Sequence, residues 1–247
     1  MARFTVDFYS KSLLRRIEFN LVIPSLNLHE SLSNKDDNYY QNRTETFPLC
    51  IFLCGFGENQ KSWQYNTQID SLLEQNRVAG VFINGDNKWY LNQGPIEAYY
   101  DLVEKDILDY LYGNFKNLSK DKPLFIAGNS MGGYGALYHY VKNLDKYSAC
   151  IALSPATKPD YLDESKYGSL RDLYLKEKDK KLNVYISVGS EDFIINASKE
   201  LDNFFAENGI DIKYRFKEGY NHSWLFWKDE VFEIMKYLKE NNLIDKK

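Results

Sequence analysis

The sequence contains little cysteine and histidine, the residues that build disulfide frameworks and most zinc sites. Its 247 residues include three of each. The three cysteines lack the paired spacing of zinc ligands, and no H-E-x-x-H motif occurs. The sequence therefore argues against a metalloenzyme. We expect Cys50, Cys54 and Cys150 to be free, buried thiols in a reducing compartment.

Long hydrophobic runs and a strong charge of one sign are also missing. No stretch approaches the ~18 apolar residues that a membrane-spanning helix needs. Positions 1–20 lack the apolar region and cleavage site of a secretory signal. The net charge is -4 with scattered basic residues, which gives no electrostatic case for nucleic acid. We therefore expect a cytoplasmic protein that binds neither membrane nor nucleic acid, whether it is a monomer or a homo-oligomer.

The order of strand and helix patterns predicts the class of fold. Residues 3–8 and 16–21 alternate polar and apolar side chains, as half-buried antiparallel strands at a sheet edge do. The later apolar runs predict further strands, most of them separated by helices, at 49–53, 78–83, 124–127, 150–153, 184–188 and 212–216. We therefore expect one α/β domain over residues 1–247, with a mostly parallel central sheet and helices on both faces.

Helices are predicted at 62–76, from Pro95, from Asn196 to Gly209, and from about Trp227. Proline suits a first helical position, and a stripe of apolar residues follows Pro95 at helical spacing, namely Ile96, Tyr100, Val103, Ile107 and Leu111. Residues 25–46 show no periodicity and predict a long surface loop. Residues 154–181 are polar and long enough for a small lid or insertion.

The segment 124–136 carries the most specific local pattern in the chain. A short apolar run predicts a buried strand, and Gly128-Asn129-Ser130-Met131-Gly132 then matches the G-x-S-x-G nucleophile elbow. Glycines flank the serine in this turn because they have no Cβ to clash, so that the hydroxyl stands clear of the backbone. The alternative is a glycine-rich turn whose serine only caps the next helix. The preceding strand and the small-residue helix favour a nucleophile at Ser130.

A serine nucleophile needs a histidine base, and three histidines are available. His139 lies nine residues past Ser130 on the same predicted helix and cannot reach back, so it is a helix-surface or packing residue. His29 lies in the irregular polar segment, whereas His222 follows the last predicted strand in a turn-rich loop and is the predicted base. The acid that orients it should follow a late strand, which favours Asp192 and leaves Glu191 as the alternative.

The third requirement is an oxyanion hole, built from backbone donors. One predicted donor is the N–H of Met131, and the other is the N–H of Phe56, in the loop after strand 49–53. Gly55 would allow close approach there, and we expect Gly55, Trp63 and Trp224 to contact substrate. Aromatic faces can stack on sugars, but each tryptophan taken singly, Trp89 and Trp227 included, is more often a packing residue.

Taken together, these motifs resemble the esterase D family of α/β-hydrolases, and particularly its small tributyrin-esterase-like members. Residues 128–136, GNSMGGYGA, resemble the family's elbow, and residues 53–63, LCGFGENQKSW, resemble its L-H-G-x-G-G-N-x-x-S-W segment. Glu191-Asp192 and Asn221-His222-Ser223-Trp224 fall where the family has its acid and base. Cys54 stands where the family usually has histidine, so hydrogen bonds around the oxyanion loop are expected to differ.

The resemblance implies an α/β-hydrolase fold and a cofactor-independent serine carboxylesterase for short acyl esters, with Ser130, Asp192 and His222 as its triad. Related members deacylate carbohydrates or feruloylated sugars, and others transfer acyl groups. A carbohydrate esterase or an acyltransferase with the same triad therefore stays an alternative. A non-catalytic binding protein on this fold is a further alternative, against which the three triad positions argue.

Overall fold

The computed structural model describes residues 1–34, 36–159 and 163–245. In these ranges eight strands form one sheet, in the spatial order β1-β2-β4-β3-β5-β6-β7-β8. The strands are β1 (Ala2–Ser10), β2 (Arg15–Ile23), β3 (Leu49–Leu53), β4 (Ala79–Ile83), β5 (Leu124–Asn129), β6 (Ala149–Leu153), β7 (Val184–Gly189) and β8 (Lys213–Lys217). The β1–β2 and β2–β4 pairs are antiparallel and the remaining pairs are parallel. The predicted fold class is confirmed.

Helices cover both faces of the sheet. They are α1 (Leu28–Ser33), α2 (Tyr39–Asn42), α3 (Ser62–Asn66), α4 (Ile69–Gln75), α5 (Tyr99–Asp101), α6 (Leu108–Asn114), α7 (Met131–Lys142), α8 (Glu164–Tyr167), α9 (Leu170–Lys176), α10 (Ile195–Glu207) and α11 (Trp224–Glu240). Strand β3 is buried between the two helical layers. Its side chains pack alternately into two cores, Leu49, Ile51 and Leu53 into one and Cys50 and Phe52 into the other. Successive strand side chains alternate between faces, so a strand buried on both faces is apolar throughout.

The predicted helix 62–76 is wrong in one respect, because it is two helices. Thr67, between α3 and α4, has an extended backbone with φ -135° and ψ 175°. Its hydroxyl donates to the Trp63 carbonyl at 2.6 Å and accepts from the Ile69 N–H at 3.1 Å. Threonine side chains compete in this way with helical backbone hydrogen bonds. The chain therefore turns at Thr67.

The helix predicted from Pro95 begins instead at Tyr99. Residues 92–98 form a tight turn, because Asn92 and Ala98 pair as an antiparallel bridge and the Glu97 N–H donates to the Gly94 carbonyl at 3.1 Å. Ile96 consequently lies outside the helix and is 61% exposed, so its place in the buried stripe is wrong. The remaining apolar positions of the stripe do face the core, with Tyr100 partly buried. Between α5 and α6 the helix is π-helical, over Leu102–Ile107.

Other predicted boundaries also differ from those in the structure. The 25–46 segment contains α1 and α2 rather than a continuous loop, and Asn27 with Glu30 forms a capping box at the start of α1. Asn196 is inside α10 and does not cap it, whereas Gly209, at φ +69°, does follow its end. The last helix begins at Trp224, three residues before the predicted position.

The lid predicted at 154–181 lies partly outside the described residues, at 160–162. In its described part, α9 packs against the core: Leu170 and Tyr174 are buried, and the Tyr174 hydroxyl donates to the Leu137 carbonyl of α7 at 3.2 Å. The single-domain organisation over 1–247 and the lid stay predictions.

Candidate active site

The predicted elbow is a sharp turn between β5 and α7. Ser130 has φ 54° and ψ -117°, a backbone conformation that non-glycine residues rarely adopt and that is typical of functional sites. A Cβ on Gly128 would lie 2.0 Å from the Gly132 carbonyl oxygen, and a Cβ on Gly132 would lie 2.2 Å from the Leu53 carbonyl oxygen. The two glycines of the motif are therefore required by close backbone contacts, as the sequence predicts.

The structure brings His222 and Asp192 to this serine. His222 Nε2 lies 2.9 Å from Ser130 Oγ, and His222 Nδ1 lies 2.9 Å from both carboxylate oxygens of Asp192. Because a carboxylate only accepts, Nδ1 carries the ring proton, which leaves Nε2 free to accept from the serine hydroxyl. Ser130 follows β5, Asp192 follows β7 and His222 follows β8, so the three meet beyond the carboxyl ends of the strands.

Burial separates the acid from its alternative. Asp192 is 1% exposed, and one of its carboxylate oxygens also accepts the Ile194 N–H at 3.0 Å. Glu191 is exposed, and its own N–H donates to the Tyr220 carbonyl at 2.9 Å. The other two histidines lie apart from the serine, since His29 is exposed on α1 and His139 is completely buried beside Glu104.

Two aromatic rings that the sequence reasoning did not assign to this site pack on His222. Trp227 approaches edge-on, with ring centroids 5.0 Å apart, and Phe193 lies at 4.5 Å. Trp227 is buried and its Nε1 donates to Ser154 Oγ at 3.2 Å, whereas Phe193 is 78% exposed. The sequence feature that could have placed Phe193 in this site is its position directly after Asp192. Both rings therefore pack against the imidazole.

The loop after β3 offers a single open donor among three successive residues. The Gly55 N–H donates to Glu58 Oε2 at 2.8 Å and the Gly57 N–H donates to Asn87 Oδ1 at 2.7 Å. Among the hydrogen bonds of the described residues, none uses the N–H of Phe56 or of Met131. Met131 is the first residue of α7, where backbone N–H groups lack helical partners. Both predicted oxyanion donors are therefore open.

The predicted substrate contacts need correction at Trp63. This side chain is completely buried in α3, and its Nε1 donates to the Leu53 carbonyl at 3.2 Å, so it cannot reach a substrate. Trp63, Trp224 and Trp227 pack edge-on in a row, with ring centroids 5.5 Å and 5.1 Å apart. Trp224 is partly buried and Trp89 packs edge-on against Tyr134 at 5.5 Å. Trp63, Trp89 and Trp227 are thus packing residues, whereas the substrate contacts of Trp224 and Gly55 stay predictions.

Gly55 lies in close contact with two side chains. A Cβ there would lie 3.1 Å from both Asn129 Nδ2 and Glu58 Oε2, closer than most real contacts. Cys54, in the family's histidine position, is held by Tyr90, whose hydroxyl donates to the Cys54 carbonyl at 3.0 Å and lies 3.4 Å from its sulfur. Burial raises the pKa of the Cys54 thiol to about 11, so it stays protonated and unreactive. All three cysteines are free and buried, as predicted.

A cavity of about 960 Å³ lies away from these residues. It opens beside Leu124, the first residue of β5, whereas Ser130 follows the other end of that strand. Its lining mixes lysines with carboxylates, including Lys105 with Asp101 and Lys146 with Glu104, which pair with one another. The cavity is therefore lined by none of the candidate catalytic residues Ser130, Asp192 and His222.

Comparison with known proteins identifies the family of this chain. Residues 36–238 match the family described as "Esterase: Putative esterase". An acetyl esterase of Caldicellulosiruptor saccharolyticus is 27% identical over 272 aligned positions, which cover 97% of this chain and 99% of the relative. The S-formylglutathione hydrolase of Bos taurus is 28% identical over 209, covering 75% of this chain and 68% of the relative.

Solved structures give the same architecture. The S-formylglutathione hydrolase of Staphylococcus aureus superposes with a TM-score of 0.80 at 20% identity, over 96% of this chain and 98% of that one. A ferulic acid esterase superposes with a TM-score of 0.77 at 17% identity, over 97% of each chain. The protein has the α/β-hydrolase fold of a serine hydrolase. It belongs to the esterase family that its sequence matches, and the resemblance to esterase D is confirmed.

No helix among the described ranges is long and apolar enough to cross a membrane.

Proposed function

We propose that this protein is a serine carboxylesterase that hydrolyses short-chain acyl esters with Ser130 as nucleophile, His222 as base and Asp192 as orienting acid. The observation that carries the proposal is the unbroken chain of 2.9 Å contacts from the serine hydroxyl through the imidazole to the buried carboxylate. Nucleophile and base within hydrogen-bond reach, with the base oriented by a third group, is the arrangement that activates a serine.

The geometry supports a two-step reaction. Ser130 Oγ attacks the ester carbonyl carbon while its proton passes to His222 Nε2. The imidazolium, stabilised by Asp192, then gives that proton to the leaving alkoxide as the C–O bond breaks, and an acyl-serine remains. Water attacks the acyl-serine by the same route, which releases the carboxylic acid and restores the serine hydroxyl. In both steps the N–H groups of Phe56 and Met131 hold the oxyanion.

The nearly full-length similarity to an acetyl esterase supports a short acyl group. The similarity to S-formylglutathione hydrolases favours a second candidate, a thioester of a one-carbon acyl group, which the same residues would cleave. An acyltransferase would use the same acyl-serine, with an alcohol in place of water. These alternatives differ in the acyl donor and acceptor and share the residues named above.

The test is hydrolysis of p-nitrophenyl esters from acetate to decanoate, with S-formylglutathione alongside and Ser130→Ala as the control. We expect turnover that peaks at the short acyl chains and disappears in Ser130→Ala. Added glycerol separates transfer from hydrolysis, because transfer yields an acylglycerol. Full activity in a purified, folded Ser130→Ala variant would refute the proposal.

A further inference from the structure

The carboxylate of Glu58 joins three separate segments of the candidate site. Its Oε2 accepts the Gly55 N–H at 2.8 Å and Asn129 Nδ2 at 3.1 Å, and its Oε1 accepts Trp224 Nε1 at 2.6 Å. Gly55 belongs to the loop after β3, Asn129 directly precedes Ser130, and Trp224 lies two residues after His222. One side chain therefore contacts the segments that carry the oxyanion donor, the nucleophile and the base.

The same carboxylate sets which backbone donors of the loop are open. Glu58 folds back on its own loop, because its N–H donates to the Gly55 carbonyl at 3.3 Å while its carboxylate takes the Gly55 N–H. Asn87 takes the Gly57 N–H from the other side. The peptide between these two anchors is that of Phe56, whose N–H is left for a ligand.

We propose that Glu58 is a positioning residue that aims the Phe56 N–H at the oxyanion and ties this loop to the elbow and to the His222 loop. This inference rests on the proposed function, because it assigns Glu58 a role in the same acyl transfer. An oxyanion donor acts only if it is held in place before the charge develops. The side chain of Phe56 is exposed and packs little, so hydrogen bonds hold the loop, and Glu58 supplies the one that also reaches the elbow and the His222 loop.

The chemistry of the anchor calls for a carboxylate. All three partners are donors, and an ionised carboxylate offers acceptors on both oxygens, whereas an amide offers one oxygen and one NH₂. In Glu58→Gln the NH₂ must face either Trp224 Nε1 or the Gly55 and Asn129 donors, and each placement sets donor against donor. The change keeps the size of the side chain and removes one of the two acceptor oxygens that the three donors use.

Trp224 provides a rescue that only this geometry predicts. Trp224→Phe keeps an aromatic ring and removes the Nε1–H, so the NH₂ introduced by Glu58→Gln can turn toward the ring while its oxygen accepts from Gly55 and Asn129. The double variant Glu58→Gln/Trp224→Phe should therefore lose less, relative to Trp224→Phe, than Glu58→Gln loses relative to the wild type. Contacting residues show such coupling in double-mutant cycles.

The experiment measures kcat and KM for p-nitrophenyl acetate and the rate of Ser130 labelling by a fluorophosphonate. For Glu58→Gln we expect kcat and the labelling rate to fall about 10- to 100-fold with little change in KM, since losing one oxyanion donor outright costs about 10²–10³ in kcat. In the Trp224→Phe background the same change should cost about 3-fold or less. The matched control is Glu191→Gln, which changes an exposed carboxylate beside Asp192 and should keep wild-type kcat.

Each outcome decides the inference. Unchanged kcat in Glu58→Gln and Glu58→Ala, equal losses in both backgrounds, or a loss confined to KM would overturn it. Thermal unfolding of each variant is measured alongside, and a kcat loss in a protein that melts as the wild type does supports positioning. If activity survives in Ser130→Ala, the proposed function and this inference are both overturned. If Ser130→Ala is inactive and Glu58→Gln has wild-type activity, only this inference is overturned.

Discussion

The ring of Phe193 covers one side of the His222 imidazole, at a centroid distance of 4.5 Å, while the other parts of the ring face solvent. Asp192 orients the same imidazole from the preceding position in the chain, so one short loop supplies both the charge and the cover. Aromatic pairs contribute roughly 0.5–1.5 kcal/mol beyond their buried area.

Replacing this cover should weaken catalysis moderately. In Phe193→Ala we expect kcat/KM for p-nitrophenyl acetate to fall about 2- to 10-fold, the factor that 0.5–1.5 kcal/mol represents. Phe193→Leu keeps apolar bulk over the imidazole and should lose less. Phe232→Ala removes another exposed phenylalanine, from α11, and a loss as large as that of Phe193→Ala would count against the explanation.

The two adjacent carboxylates at 191 and 192 allow a matched test of the acid. Asp192→Asn keeps the size of the side chain but presents an NH₂ to His222, which favours the wrong imidazole tautomer. We expect kcat to fall about 10⁴-fold, the loss known for the same change in a serine protease triad. Glu191→Gln alters the exposed neighbour and should keep kcat within about 2-fold. Similar effects in the two variants would reject the assignment of Asp192.

Two glycines in helices should respond oppositely to alanine. Gly132→Ala places a Cβ 2.2 Å from the Leu53 carbonyl oxygen, a backbone atom that cannot move without separating α7 from β3. We expect a loss of several kcal/mol in unfolding free energy, or no folded protein, together with loss of activity. Gly113→Ala in α6 meets nothing within 4 Å and should stabilise by about 0.5–1 kcal/mol. Urea unfolding measures both, and a neutral Gly132→Ala would contradict the geometry.

A charged cluster around Glu104, separate from the candidate active site, should make the stability of the protein depend on pH. Glu104 is buried and accepts from His139 Nδ1 at 2.6 Å, Tyr147 Oη at 2.6 Å and Lys146 Nζ at 2.5 Å. Burial alone would raise the pKa of Glu104, but the contacts with His139, Lys146 and Tyr147 outweigh burial and lower it below 4.5. His139 Nε2 also faces an acceptor, the Tyr90 carbonyl at 2.8 Å, so both ring nitrogens point at oxygens.

Because its pKa is lowered on folding, the Glu104 carboxylate stabilises the protein above the unfolded pKa, near 4.5. That contribution is lost as the pH falls from 4.5 through the lower folded pKa. Glu104→Gln should therefore cost about 3 kcal/mol at pH 7, since it leaves buried partners unpaired, and the cost should shrink below pH 4.5. Unfolding free energies of both proteins from pH 7 to pH 3 provide the measurement. A difference that is constant with pH would show that the carboxylate charge has no such role.

The sequence predicted the features that depend on local pattern and strand order. Alternating or continuous apolar runs indicated the strands. The order serine, acid, histidine pointed to Ser130 and Asp192, each of which lies 2.9 Å from His222 in the folded chain. A motif such as the elbow is visible in sequence because its backbone contacts exclude every residue but glycine.

Features set by contacts between distant segments were not predictable. Trp63 looks like any exposed aromatic beside a catalytic loop until its buried contact with Leu53 is known. Thr67 and Pro95 carry ordinary helix signals, which a side-chain hydrogen bond and a paired turn override. Glu58 meets Trp224 across 166 residues of chain, and nothing in either local pattern announces that contact.

At position 56 the backbone and the side chain have separate roles. The backbone of Phe56 serves the proposed oxyanion hole, while its side chain, 58% exposed, makes no demand on the fold. Any residue with an N–H can supply the donor, and only proline lacks one. Substitutions other than proline should therefore change the size, charge and shape of the surface at position 56 and keep the proposed oxyanion donor.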